Sequence, residues 1–278
     1  METRLPTFLF VGSAKCGSTW IYKALQAHPE VYVPAAKDIY FFDAYYDKGL
    51  DWYASFFAAA DGRAKAVGEL SHDYLYSREA SERIARDLPG VKLFACIRNP
   101  IERALSVYHF RKRNGTAEVD FESTINKYPL VLERGKYFDH LKVYLDCFGE
   151  KRFRTFLFDD LGADARVFSR SIYDFVGVDP SFEYLDAEKK VLPASQARLA
   201  WLAVFAKRAA RRLRHLGQAS IVGRVKDSFV FNFLYKPIPE AEKETLSPAQ
   251  RTRLIEYYAS DVEKLGALLG RDLDHWLE

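Results

Sequence analysis

Short apolar runs and longer amphipathic stretches alternate along the chain, separated by polar turns. Thr7–Val11 is an aromatic and β-branched run, the pattern of a fully buried strand. The turn Gly12–Gly17 follows, and Ser18–Ala27 then reads as a helix with Gly17 or Ser18 near its cap. Ala64–Glu69 and Val91–Ile97 are two further short strands, each followed by a polar turn and a helical pattern. Pro100 falls in the first turn of the second of these helices, where its missing N–H costs nothing. Phe153–Phe158 is a fourth strand, with a helix over Ala163–Val176 behind it. Ser247–Leu269 is a last helix, opened by Ser247-Pro248 and closed by Gly270. Strand and helix in alternation predict an α/β fold: a central, mostly parallel sheet with helices on both faces.

Two stretches depart from this rhythm. Ala35–Ala60 packs nine aromatic rings, from Tyr40 to Phe57, without clear periodicity. It reads either as a wall of a ligand cleft or as a subdomain packed on the sheet. Ala197–Arg214 reads as a helix carrying Lys207, Arg208, Arg211, Arg212 and Arg214. A solvated basic face is the plain interpretation, and contact with an anionic substrate or surface is the sharper one.

Composition narrows the class. The 278 residues suit one domain spanning 1–278, with about 35–60 and 195–245 as substrate- or cofactor-covering segments. Hydrophobic residues at 49% and charged residues at 28% exclude a disordered, collagen-like or coiled-coil chain. A net charge of +3 leaves no global nucleic-acid footprint, though a local site for a small anion fits. Cys16, Cys96 and Cys147 are widely spaced and odd in number, which indicates neither a zinc site nor a disulfide scaffold. A reducing, cytoplasmic compartment is the expectation. The run Phe8–Val11 is too short for a secretory or membrane-spanning segment, so no transmembrane segment is expected.

The candidate chemistry lies at strand ends. Strand, then Gly12-x-x-x-x-Gly17-Ser18-Thr19, then helix is the arrangement of an anion-binding loop: glycines turn N–H groups towards phosphate, and the helix N-terminus adds positive character. It is not a Walker loop. Ser18 stands where that loop has Lys, and the loop's only lysine is Lys15. A Mg-dependent NTPase is therefore disfavoured, although a nucleotide kinase with a displaced lysine stays open, as does a plain strand-to-helix turn. Arg98 follows another strand, with Ser106 two turns further on; a guanidinium fork and a hydroxyl there suit a second phosphate. Arg98 paired with a carboxylate, with Ser106 facing solvent, is the alternative. Glu69 ends a third strand, followed by Ser71, His72 and Tyr74. Lys15, Glu69 and Arg98 thus all fall at the carboxyl ends of predicted parallel strands, where open α/β sheets bind ligands.

These residues resemble the sulfotransferases that use 3′-phosphoadenosine 5′-phosphosulfate (PAPS). Phe10-Val-Gly-Ser-Ala-Lys15-Cys-Gly-Ser-Thr-Trp20 is similar to the family's 5′-phosphosulfate loop, and Cys96-Ile-Arg98 through Ser106-Val-Tyr108-His109 to its 3′-phosphate motif. Lys37-Asp-Ile-Tyr-Phe-Phe42, Gly49-Leu-Asp-Trp52-Tyr53, Gly135-Lys-Tyr137 through Leu141 and Leu268 through Trp276 resemble the heparan-sulfate and bacterial branch. The resemblance implies a three-layer, P-loop-like fold and a metal-free transfer of the sulfuryl group from PAPS to a hydroxyl or amine of a small-molecule or carbohydrate acceptor. It implies Lys15 and Glu69 as catalytic residues, steadying the leaving group and removing the acceptor proton. It implies Lys15, Cys16, Gly17, Ser18, Thr19, Trp20, Arg98 and Ser106 on the cofactor, and Lys37, Tyr40, Phe42 and His72 on the acceptor. His72 and His109 are alternative bases. Leu70 and Lys37-Asp38 depart from the Lys and Lys-Glu that the branch often carries there. The cysteine-bridged loop of the animal heparan enzymes is missing, which leaves Arg198, Lys226 and Lys236 as candidates for the cofactor-covering basic residue. A non-catalytic carbohydrate-binding relative is the remaining reading, motivated by the aromatic segment.

Overall fold

In the computed structural model β1 (Phe8–Gly12) lies at the centre of a five-stranded sheet ordered β2-β3-β1-β4-β5. The other strands are β2 (Val31–Tyr32), β3 (Ala66–Leu70), β4 (Lys92–Ile97) and β5 (Phe153–Leu157), and every neighbouring pair is parallel. The structure describes residues 4–35, 37–186, 195–197, 235–237 and 244–278. These fall into two compact units, one from the described parts of Met1–Ile97 and Val143–Val191, the other from those of Arg98–Lys142, Leu192–Lys207 and Phe229–Glu278.

The first unit holds the sheet. A parallel strand covered on both faces must be apolar throughout, and all five residues of β1 are buried. Phe8 and Phe10 face one cluster with Phe94 and Cys96 of β4 and Phe156 of β5. Helices α1 (Ser18–Ala27) and α10 (Ala165–Val176) complete that cluster through Trp20, Ile21, Leu25, Phe168 and Ile172. Edge-to-face ring pairs join its layers, such as Phe10–Phe94 at 5.4 Å and Trp20–Phe168 at 5.7 Å between centroids. The alternate residues Leu9, Val11, Leu93 and Ala95 are buried outside that cluster, as the two-residue period of a strand requires.

Two element boundaries differ from expectation around the fourth strand and the helix behind it. The fourth strand stops at Leu157, and Phe158 opens a short helix, α9 (Phe158–Ala163). The helix expected from Ala163 begins at Ala165, because the Asp164 carboxylate accepts from the N–H groups of Arg166 and Val167 at 2.9 and 3.0 Å. The aromatic segment folds into α2 (Phe41–Ala44), α3 (Gly49–Ala54) and two 3₁₀ turns. Phe41, Phe42, Tyr53 and Phe57 are fully buried there, and the Phe41 and Tyr53 rings stack at 4.4 Å. The packed-subdomain reading therefore holds for these four rings. Helix α4 (Arg78–Asp87), capped by Ser77, follows β3.

The second unit is helical: α5 (Pro100–Arg113), α6 (Phe121–Lys127), α7 (Leu130–Glu133) and α11 (Pro248–Leu269). Helix α8 (Phe138–Phe148) runs across the chain boundary between the units. A two-stranded antiparallel ribbon pairs β6 (Ser195–Ala197) with β7 (Tyr235–Pro237). The basic helix expected over Ala197–Arg214 lies, beyond Ala197, outside the described residues. Helix α11 carries a full capping box between Ser247 and Gln250 and ends on Gly270 in the left-handed conformation. No helix among the described residues is long and apolar enough to cross a membrane.

Asn99 fixes the start of α5. Its Oδ1 accepts from the N–H groups of Ile101 and Glu102 at 2.9 and 3.3 Å, and its Nδ2 donates to the Trp276 carbonyl at 3.0 Å. Asn99→Ala removes a helix cap and a buried bond together. Urea denaturation should register a loss of about 1–3 kcal/mol, and a loss below measurement error would show that the cap is dispensable.

Candidate active site

The loop from β1 to α1 places two unusual backbone residues. Lys15 and Gly17 both take the left-handed conformation, at φ 69° and 81°. For a lysine this costs about 1–2 kcal/mol. Gly17 avoids that cost and also leaves space, since a Cβ there would meet the Phe158 ring at 3.0 Å. The turn delivers the N-terminus of α1 with no side-chain cap and no acidic residue in its first turn. The first hydrogen bond of the helix is donated by Ile21 to the Gly17 carbonyl. Its leading N–H groups therefore have no intrahelical acceptor, and with the helix dipole they favour an anion. Lys15, Ser18 and Thr19 are half-buried at this end. Cys16 is fully buried, so only its backbone can face a ligand, and the Trp20 ring packs into the core.

Lys37 comes to the same place. Its ammonium donates to Ser18 Oγ at 3.1 Å and Thr19 Oγ1 at 3.4 Å, and lies 6.0 Å from the Tyr22 ring centre. The next residues turn sharply, with Asp38 and Tyr40 both left-handed at φ 65° and 57°. The Asp38 N–H donates to the Leu70 carbonyl at 2.9 Å, which ties the segment to the end of β3. The Asp38 carboxylate accepts from His72 Nδ1 at 2.8 Å. The Tyr40 hydroxyl lies 3.2 Å from His72 Nε2, and Asp73 Oδ1 is 3.9 Å from the same nitrogen. The His72 side chain keeps 26% of its surface exposed. Burial pulls its pKa down, but the Asp38 charge and hydrogen bond, with Asp73, outweigh burial and leave it raised.

Glu69 is sealed in. Only 1% of it is exposed, and three hydroxyls donate to it: Tyr53 at 2.9 Å and Tyr74 at 2.8 Å to Oε1, Ser71 at 2.9 Å to Oε2. Desolvation pushes its carboxyl up to about 7, against the pull of those three bonds. A lysine beside a carboxyl lowers its pKa unless burial compensates, and at Glu69 burial dominates. Phe42, expected on the acceptor, is fully buried among Phe41, Tyr53 and Tyr74, so its ring cannot touch one.

In the second unit Arg98 immediately precedes Asn99, the cap of α5, and its carbonyl accepts from the Tyr137 hydroxyl at 3.0 Å. Its guanidinium donates to Glu102 Oε2 at 3.4 Å, while Arg251 lies 3.8 Å from the other oxygen of that carboxylate. Ser106 is half-buried on α5, and His109 packs its ring against Tyr108 at 5.5 Å. Arg198 and Lys226 lie outside the described residues, and Lys236 is described only as part of β7.

The structure thus brings Lys15, Gly17, Ser18, Thr19 and Lys37 to one helix end, and Tyr40 to His72. Sequence reasoning missed the Asp38–His72 pair, whose members are 34 residues apart. It also missed the hydroxyl shell of Glu69. The only signal for either was the crowding of polar residues just past β3.

Comparison with known proteins agrees with this architecture. Residues 5–266 match the family model of the sulfotransferase domain, and the chain belongs to that family. The bifunctional heparan sulfate N-deacetylase/N-sulfotransferase 4 of Mus musculus is 26% identical over 98% of this chain and 31% of its own length. The membrane-associated sulfotransferase kil1 of Dictyostelium discoideum is 33% identical over 46% of this chain and 29% of its own length. The chain spans less than a third of the length of these relatives. A crystal structure of a sulfotransferase from Alicyclobacillus acidocaldarius superposes with a TM-score of 0.72 at 23% identity, covering 99% of this chain and all of that one. The fold is the P-loop-like fold of these enzymes, a mostly parallel sheet flanked by helices.

The buried carboxyl has a measurable consequence. Because Glu69 takes a proton more readily in the folded state than its ordinary value of 4.5 allows, its stabilising contribution is present below pH 4.5 and is lost as pH rises towards 7. Equilibrium urea melts across pH 5–8 should show wild type losing up to about 3 kcal/mol that Glu69→Gln retains. Parallel pH profiles for the two proteins would show that Glu69 does not titrate this way.

Proposed function

We propose that this chain transfers a sulfuryl group from PAPS to a hydroxyl or amine, with no metal in the step. The observation that carries the reading is the uncapped, acid-free N-terminus of α1, with Lys15 in its loop and Lys37 on its first hydroxyls, in a unit that also holds the Asp38–His72 pair. These residues fit the cofactor's phosphosulfate end: N–H groups and ammonium groups match anionic oxygens, and Ser18 and Thr19 add hydroxyl donors. Arg98 and Ser106 hold the 3′-phosphate, with Arg98 exchanging its partner Glu102 for the phosphate.

When bound, PAPS supplies the sulfuryl group and leaves as 3′,5′-bisphosphoadenosine (PAP). Lys15 neutralises the charge that develops on the leaving phosphate as the S–O bond breaks. The N–H groups of Gly17 to Trp20 hold the 5′ end in register for in-line attack. His72 takes the acceptor's proton on Nε2. Asp38, on Nδ1, fixes the tautomer and steadies the imidazolium that forms. Glu69 has a pKa near that of a working base, but its oxygens are occupied and enclosed. It serves by holding Ser71 and Tyr74, and so takes a positioning role in place of the base role suggested by resemblance.

The acceptor side includes Tyr40 and His72. A carbohydrate or a small hydroxyl compound suits it, and the heparan sulfate enzymes among the relatives support the carbohydrate class. Cytoplasmic residence accords with Cys16, Cys96 and Cys147 as free thiols.

Calorimetry with PAP tests the cofactor assignment. Wild type should bind PAP without Mg²⁺ and Arg98→Ala should lose that affinity, while ATP·Mg²⁺ should give no thermal shift. PAP binding left intact by Arg98→Ala would overturn the 3′-phosphate site. Turnover of labelled PAPS over a panel of sugars, phenols and amines then tests catalysis. Lys15→Ala should lower the rate roughly 10²–10³-fold, and His72→Ala roughly 10²–10⁴-fold. Since the base works unprotonated and Asp38 raises its pKa, activity should rise with pH through a value above 6.5. Asp38→Asn should move that limb to lower pH and reduce the maximum. An unmoved limb would exclude His72 as the base.

A further inference from the structure

Sequence reasoning put Lys37 with the acceptor, but its ammonium rests on Ser18 and Thr19, the first two residues of α1. The backbone explains how it gets there. Asp38 is held at the end of β3 by its bond to the Leu70 carbonyl and is left-handed, so consecutive side chains serve different places. Lys37 reaches the helix end, and Asp38 reaches His72.

The strand beside β1 supplies no cation of its own at this point. β3 closes on Glu69 and Leu70, a sealed acid and a buried apolar residue. The phosphosulfate end of PAPS carries two negative charges, and Lys15 is the only lysine of the β1–α1 loop. We propose that Lys37 is the second cation of the phosphosulfate site, gripping the 5′ end of the cofactor from the Ser18–Thr19 side of the α1 N-terminus. The inference rests on the sulfotransferase reading above. It moves Lys37 from acceptor recognition to cofactor recognition and makes segment 37–40 a bridge: one residue on the cofactor, two on the base and acceptor.

The 5′ and 3′ phosphates can be tested separately. PAP, 5′-AMP and 3′-AMP are titrated by calorimetry into wild type, Lys37→Ala and Lys37→Arg, with melting temperature as a check on folding. Lys37→Ala should weaken PAP and 5′-AMP roughly 10–100-fold, the range for a lost charged contact, and leave 3′-AMP unchanged. Lys37→Arg should recover part of the loss, since charge is retained. Equal weakening of all three ligands would overturn the proposal, because it would mark a general disturbance of the site. So would unchanged PAP binding together with a raised KM for the acceptor, which would return Lys37 to the acceptor side. Wild type that binds no PAP is a different result: it sinks the sulfotransferase reading itself rather than the place of Lys37 within it.

Discussion

A carboxyl group enclosed by three hydroxyls sets the order of the segment from Lys37 to Phe42. Glu69 can be buried because Tyr53, Tyr74 and Ser71 donate to it. Two of those hydroxyls have a second task. Ser71 Oγ accepts from the Tyr40 N–H at 3.1 Å, and the Tyr74 hydroxyl accepts from the Phe42 N–H at 3.3 Å. The backbone from Tyr40 to Phe42 is thereby fastened to the end of β3. That fastening lets Asp38 and Tyr40 hold left-handed conformations that non-glycine residues otherwise avoid. Through one hydroxyl relay, a residue with no access to solvent aligns Lys37, Asp38 and Tyr40.

The electrostatics at the start of α1 follow a different logic. No N-cap side chain bonds the start of α1, and no acidic residue sits in its first turn. Most helices satisfy that end with a side chain of their own, and elsewhere in this chain Ser77, Asn99, Asp120, Asp164 and Ser247 do so. The helix that follows the glycine loop has instead Lys15 in its loop and the Lys37 ammonium on Ser18 and Thr19, an arrangement that suits an anion.

Much of this was readable from the chain. Apolar runs marked β1, β3, β4 and β5 to within about two residues, and the Ser18–Ala27 helix was placed as found. Gly17, Pro100 and Gly270 mark backbone geometry directly, which is why the loop and the two helix ends were legible. Burial was harder. Glu69 and Phe42 occupy motif positions that pointed to chemistry, yet both are enclosed, and enclosure depends on rings up to thirty-two residues away. The Asp38–His72 pair and the reach of Lys37 are tertiary contacts with no local period to reveal them. The two short helices of the aromatic segment are too brief to show an amphipathic pattern.

The protonation of Glu69 also ties folding to the solvent in calorimetric terms. Between its ordinary value of 4.5 and about 7 the folded chain keeps a proton that the unfolded chain releases. Unfolding in that range therefore delivers a proton to the buffer, and the measured heat includes the buffer's own heat of protonation. The apparent enthalpy of this protein will differ between a carboxylate or phosphate buffer and an amine buffer at the same pH, although the protein's structural transition is the same in both.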